Sequence, residues 1–78
     1  MQIVFSPRAV KDLKAIPVQD RNALLEKLET YAETGQGDVK KLTGSPFFRL
    51  RHGDWRCIFE VIAKIIVLRV LHRREAYR

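Results

Sequence analysis

Apolar residues fall into two different rhythms along this chain. Between Pro7 and Gly35 they recur at helical spacing, and from Phe48 onward they alternate with polar ones. The run Gln2-Ile3-Val4-Phe5 is short and mostly apolar and stops at Ser6-Pro7, so it predicts a strand of residues 2–5 leading into a helix. Serine can cap the free N–H groups of a helix start, and proline is pre-set for the first helical position. Val10, Leu13 and Ile16 then share one side of a first helix, with Arg8, Lys11 and Lys14 elsewhere. Pro17 interrupts that helix and opens a second, in which Leu24, Leu25, Leu28, Tyr31 and Ala32 recur at helical spacing and Gly35 supplies a C-terminal cap. A loop is predicted from Gln36 to Pro46.

Beyond it, Phe48–His52, Trp55–Ile62 and Ile65–Leu71 read as consecutive strands rich in β-branched and aromatic residues, joined by turns at Gly53-Asp54 and Ala63-Lys64. The predicted order is β-α-α-β-β-β. This is an α+β class, with a helical hairpin covering one face of an antiparallel sheet in a single domain of residues 1–78.

Two-residue turns fix a register that can be written out. His52 opposes Trp55, Leu50 opposes Cys57, Phe48 opposes Phe59, Ile62 opposes Ile65 and Cys57 opposes Val70. Phe48, Leu50, Cys57, Phe59, Val61, Ile66, Leu68 and Val70 then form an uncharged face for the helices. Arg49, Arg51, Arg56 and Arg69 take the other face, where Arg73 continues their parity. Pointing away from the core, Arg56 is expected to be replaceable by alanine without loss of folding. Like charges directly opposite one another destabilise a sheet, so Arg51 across from Arg56 calls for an anion. Arginines fanned into water and offset by Glu60 and Glu75 are the structural alternative.

The charge of the whole chain sharpens this. Its 78 residues carry 15 Lys and Arg against 9 Asp and Glu, a net charge of +6. Residues 1–39 hold five basic and six acidic side chains, whereas residues 40–78 hold ten basic and only three acidic ones. Such asymmetry points to a polyanionic partner for the second half: nucleic acid, an acidic protein segment, or both. Lys40, Lys41, Arg69, Arg74 and Arg78 are candidate RNA contacts, although the Lys40-Lys41 pair also reads as ordinary solvated charge. One cysteine excludes an internal disulfide. No stretch reaches the roughly 20 apolar residues of a membrane span, and the start of the sequence lacks the pattern of a signal peptide. A cytoplasmic location is therefore expected.

The chemistry on offer is that of arginine. Its planar fork of donors suits phosphate oxygens and stays protonated, so a cluster can hold an RNA backbone and stabilise charge developing on phosphorus. RNA brings its own nucleophile, the 2′-hydroxyl, so neither metal nor cofactor is expected. Indeed His52, His72 and Cys57 show no metal-ligand spacing. Cys57 belongs to the core face, where an inert thiol is expected. His72 can move protons near neutral pH or serve a structural hydrogen bond, and Tyr77 can stack on a base or fill surface. Trp55 reads as core rim first and as a stacking platform second.

These residues also carry a resemblance. Lys41-Leu42-Thr43-Gly44, then Phe48-Arg49-Leu50-Arg51-His52-Gly53-Asp54-Trp55-Arg56, then Val70-Leu71-His72-Arg73-Arg74-Glu75-Ala76-Tyr77-Arg78 together resemble the RelE/ParE toxin superfamily, along essentially the whole chain. The resemblance implies the toxin of a type II toxin–antitoxin pair. RelE-type members cut mRNA in the ribosomal A site without metal; ParE-type members share the fold and poison DNA gyrase. Matched by position, the residues of the RNA-cutting branch are Arg49, Arg51, Arg56, Arg73 and Tyr77. Arginines at 49 and 51 stand where the prototype has lysines, and Trp55 where tyrosine is usual. Because guanidinium is a poor proton acceptor, Tyr77 and His72 are both candidates for the general base. The implied partners are a cognate antitoxin with an acidic or amphipathic segment, in a hetero-oligomer, and mRNA on the ribosome. A ParE-type gyrase inhibitor and a cleavage-inactive binding homologue are the alternatives. Retention of the arginine and tyrosine in the tail favours the RNA-cutting branch.

Overall fold

The computed structural model describes residues 1–76. Their order is β1 (Ile3–Phe5), α1 (Pro7–Ala15), α2 (Val18–Thr34), β2 (Val39–Lys41), β3 (Phe48–His52), β4 (Trp55–Val61), β5 (Ile65–His72) and the single turn α3 (Arg73–Ala76). The α+β class and the helical hairpin on a sheet are as expected. The strands lie in the order β1-β5-β4-β3-β2. The β3-β4-β5 core of the sheet is antiparallel, as read, but β1 runs parallel to β5 and makes the sheet mixed. The segment expected to be loop from Gln36 to Pro46 contributes the edge strand β2, which pairs Val39 with Leu50, Lys40 with Arg49 and Lys41 with Phe48.

Local chemistry starts and stops the helices where the sequence indicated. Ser6 Oγ accepts from the Ala9 N–H at 3.0 Å and donates to the Leu68 carbonyl at 2.9 Å, so one hydroxyl caps α1 and ties it to β5. Gly35 ends α2 at a φ of 74°, with its N–H on the Tyr31 carbonyl at 2.8 Å. Between helices and sheet lies one buried cluster: Ala9 and Leu13 from α1, Ile16 just after it, Leu24 and Leu28 from α2, and Leu50, Cys57, Phe59, Ile65, Val67 and Val70 from the strands. Val10, expected on the packed side of α1, is 40% exposed, and Ala9 takes that place.

The register of β3 against β4 is the one written from the sequence, from Phe48 opposite Phe59 to His52 opposite Trp55. Gly53 opens their turn at a φ of 54°, a conformation glycine adopts without penalty. The register of β4 against β5 needs correction. Cys57 does face Val70, but Val61 pairs with Ile65 and Phe59 with Val67, across a bulge next to Ile58/Phe59. The connection is therefore Ile62-Ala63-Lys64, with Ala63 at a φ of 56° and the Ile62 N–H on the Lys64 carbonyl at 2.8 Å. The bulge inserts Leu68 and reverses the side-chain parity before it. Ile65 and Val67 are consequently the buried residues, and Ile66 and Leu68, expected in the core, are only partly covered.

The edge of β5 beyond β1 is closed by α1. Asp12 accepts from the Val70 N–H at 2.9 Å and from Arg69 Nε at 2.8 Å, with Arg8 at 3.7 Å. Burial alone would push the Asp12 carboxyl up. The hydrogen bonds from Arg69 and Val70, together with the charges of Arg69 and Arg8, outweigh it and hold the group below its ordinary range. A depressed folded pKa gives stability that is present above the unfolded value, about 3.9, and is lost as pH falls through the folded value. Asp12→Ala is expected to cost about 1.5–3 kcal/mol at pH 7, by urea unfolding. Its gap from the native chain should begin to narrow below about pH 4 and close only as pH falls through the lower folded value, where the native carboxyl protonates. A gap that stayed constant down to strongly acid pH would show that the charge contributes nothing.

Candidate functional site: an arginine-bearing sheet face

Register places Lys40, Arg49, Arg51 and Arg56 on the sheet face opposite Leu50, Cys57 and the helices: Lys40 lies across from Arg49, and Arg51 across from Arg56. Arg51 is the open member, its side chain 53% exposed, while Arg49 is only 12% exposed. Both contact the same carboxylate, Asp38, at 2.7 Å from Arg51 Nε and 3.5 Å from Arg49 Nη2.

Arg56 differs from its expected state. It shares the outward parity, yet it is buried at 6% exposure, and its Nη1 donates to the Gly53 carbonyl at 2.7 Å and the Trp55 carbonyl at 3.1 Å. The guanidinium thus braces the β3–β4 turn, and truncating it is not neutral for folding. Arg73 meets the same turn: its N–H donates to the Asp54 carbonyl at 2.6 Å, and its side chain lies 3.6 Å from the Asp54 carboxylate. The Gly53-Asp54 turn therefore joins the arginines of the sheet to the start of α3.

His72 packs edge-on against Trp55, ring centroids 5.3 Å apart, and its Nδ1 accepts the Arg74 N–H at 3.3 Å. That bond puts a neutral imidazole's proton on Nε2. His72, Arg73 and Arg74 line an open hollow with Asp54 and Glu75. Trp55 is partly buried against the core, the rim position its parity indicated.

Arg69 has the outward parity expected of it, across from Ile58, but its guanidinium is held by Asp12 of α1. Lys41 shares the parity of Phe48 and does not join this face. Tyr77 and Arg78 lie outside the described residues. Burial pushes the Cys57 thiol up to about 12, so it is no nucleophile at neutral pH. Among the described residues no three His, Cys, Asp or Glu side chains converge to hold a metal ion, and no helix is long and apolar enough to cross a membrane.

Asp12, Asp38 and Asp54 are carboxylate partners that sequence reasoning missed. Asp38 could have been found only by extending the β3 pairing one strand outward, since it directly precedes the Val39-Lys40-Lys41 strand.

Comparison with known proteins agrees with this architecture. Residues 3–77 match the family described as the ParE toxin of type II toxin–antitoxin systems, parDE. The fold is similar to a chain of the RelB–RelE antitoxin–toxin complex from Methanococcus jannaschii, with a TM-score of 0.80 and 32% identity, covering 95% of this chain and 94% of that one. It is also similar to a chain of the archaeal RelE–RelB complex from Pyrococcus horikoshii OT3 (TM-score 0.77, 26% identity, 92% and 93% covered). A chain of the intact E. coli RelBE complex gives a TM-score of 0.74 at 26% identity, with 88% and 92% covered. No curated protein matches significantly. The chain belongs to the RelE/ParE superfamily and is a toxin of a type II toxin–antitoxin system.

Proposed function

We propose that this toxin is a metal-independent endoribonuclease that cuts mRNA on the ribosome. The observation that carries the reading is the placement of Arg49 and Arg51 on one outward strand face, with Lys40 and Arg56 directly across from them. Such a surface offers forked donors to phosphate oxygens. Arg49 and Arg51 would grip the backbone. Arg56, braced on the Gly53 carbonyl, and Arg73 would neutralise charge as the 2′-oxygen attacks phosphorus and the 5′-oxygen leaves. Tyr77 would take the 2′-hydroxyl proton, or His72 would through Nδ1 once the Arg74 N–H releases it. Two partners follow: mRNA in the ribosome, and a cognate antitoxin whose acidic or amphipathic segment masks the arginines in a hetero-oligomer. The antitoxin–toxin complexes of the structural relatives support that second partner.

One observation favours a second reading. The matching family is described as the ParE toxin, and a ParE-type toxin would act on DNA gyrase without cutting RNA.

Salt dependence tests the phosphate contacts. With about four of them, log affinity for single-stranded RNA should fall against log salt with a slope near −3, at about 0.7 per contact. Arg51→Ala should flatten the slope by about 0.7 and Lys14→Ala, on the helical side, should leave it unchanged. Equal slopes for the two variants would mean that the charge acts diffusely and the face is no binding site.

A further inference from the structure

Asp38 stands just before β2 and reaches two arginines of the adjacent strand with one carboxylate. The strand pairing does not need that side chain. The Arg51 N–H already donates to the Asp38 carbonyl at 3.0 Å, and Val39 opposite Leu50 continues the ladder. What the carboxylate adds is a pair of oxygens presented to two guanidinium side chains, the arrangement a phosphodiester would also present. It is 42% exposed, and ion pairs so open to water are weak enough to exchange partners. Lys40, across from Arg49 on the same face, keeps the surroundings cationic once the carboxylate turns away.

We infer that Asp38 is a built-in competitor for the RNA backbone: it occupies the Arg49–Arg51 phosphate site in the free toxin, is displaced by RNA, and so sets the affinity of that site. The inference rests on reading the face as an RNA site. It assigns Asp38 a tuning role in binding rather than a part in the chemistry. A carboxylate already seated on two arginines discourages single small anions. A phosphodiester chain regains the loss by engaging neighbouring cations at the same time.

Fluorescence anisotropy with a short labelled single-stranded RNA tests this on the full chain at low ionic strength. Asp38→Asn keeps the side-chain shape and removes the charge, and is expected to bind about 5–10-fold more tightly than the native toxin. Glu29→Gln, an equal change in net charge on an exposed position of α2, should gain no more than about twofold. In an Arg51→Ala background the Asp38→Asn gain should shrink to about twofold or less, because the two residues act through one contact. Asp38→Ala is the second variant and should repeat the pattern, with thermal melting confirming that each protein is folded.

No gain from either Asp38 variant, a gain equal to that of Glu29→Gln, or an undiminished gain without Arg51 would each overturn the inference. The underlying reading fails differently. If the native toxin binds RNA through Arg51 but Asp38→Asn is silent, only the competitor role falls. If the native toxin does not bind RNA, or binds equally well without Arg51, the RNA reading falls and takes this inference with it.

Discussion

Arg56→Ala is expected to lower RNA cleavage by about 10²–10³-fold, the range typical for removing one preorganised donor from a developing oxyanion. The structure adds a second expectation. At 6% exposure, with Nη1 on the carbonyls of Gly53 and Trp55, this guanidinium makes charge-assisted hydrogen bonds worth about 1.5–3 kcal/mol. In a domain of this size each kcal/mol shifts melting by roughly 4–8 °C, so the variant should melt on the order of 10 °C lower. The two effects separate by assaying cleavage well below the variant's melting midpoint, where both proteins are folded. A folded Arg56→Ala protein that cleaves at the native rate would remove Arg56 from the chemistry and leave it as the brace of the turn. A variant that melts like the native chain would contradict the brace.

Phe59→Ala should be the most damaging single change in the core. Phe59 is 0% exposed, stacks on Phe48 with centroids 5.6 Å apart at 18°, and meets Tyr31 edge-on, also at 5.6 Å. Removing a buried phenylalanine costs about 3–5 kcal/mol, from lost transfer energy and the cavity left behind. Small domains have a total stability at the lower end of about 5–15 kcal/mol, so circular dichroism should show a variant largely unfolded near 37 °C, or melting roughly 15–30 °C lower. A loss below about 1 kcal/mol would mean that the β3–β4 register is wrong, because a slip of one residue turns Phe59 outward.

Why that register could be read in advance, while others could not, is a matter of turn chemistry. Gly53-Asp54 allows a two-residue turn, and one such turn fixes every pair from His52–Trp55 to Phe48–Phe59, including Arg51 across from Arg56. Nothing in Ile62-Ala63-Lys64 marks a three-residue connection, since a non-glycine residue takes the left-handed conformation there. The bulge that follows changed which half of β5 is buried. β2 escaped notice because Val39-Lys40-Lys41 carries one apolar position and becomes a strand only by pairing with β3. Parity told which face each arginine takes but not how deep it lies, so the burial of Arg56 was not legible. The partner of Arg69 was no better announced, since Asp12 lies 57 residues earlier in the chain. Candidate site residues were legible as a set of cations on one strand face. Their carboxylate partners Asp12, Asp38 and Asp54 were not, because each pairing depends on contacts between segments distant in sequence or on a turn tip.

RNA cutting by the arginine face is tested most directly by adding the purified toxin, and Arg56→Ala at a temperature where it is folded, to a translation reaction and mapping new RNA ends. Gyrase supercoiling is followed in parallel with the same preparations. Discrete cuts within the translated message are expected, carrying 2′,3′-cyclic or 3′-phosphate ends and strongly diminished for Arg56→Ala, with supercoiling unaffected. Intact message together with inhibited supercoiling would contradict RNA cutting and establish the gyrase reading instead.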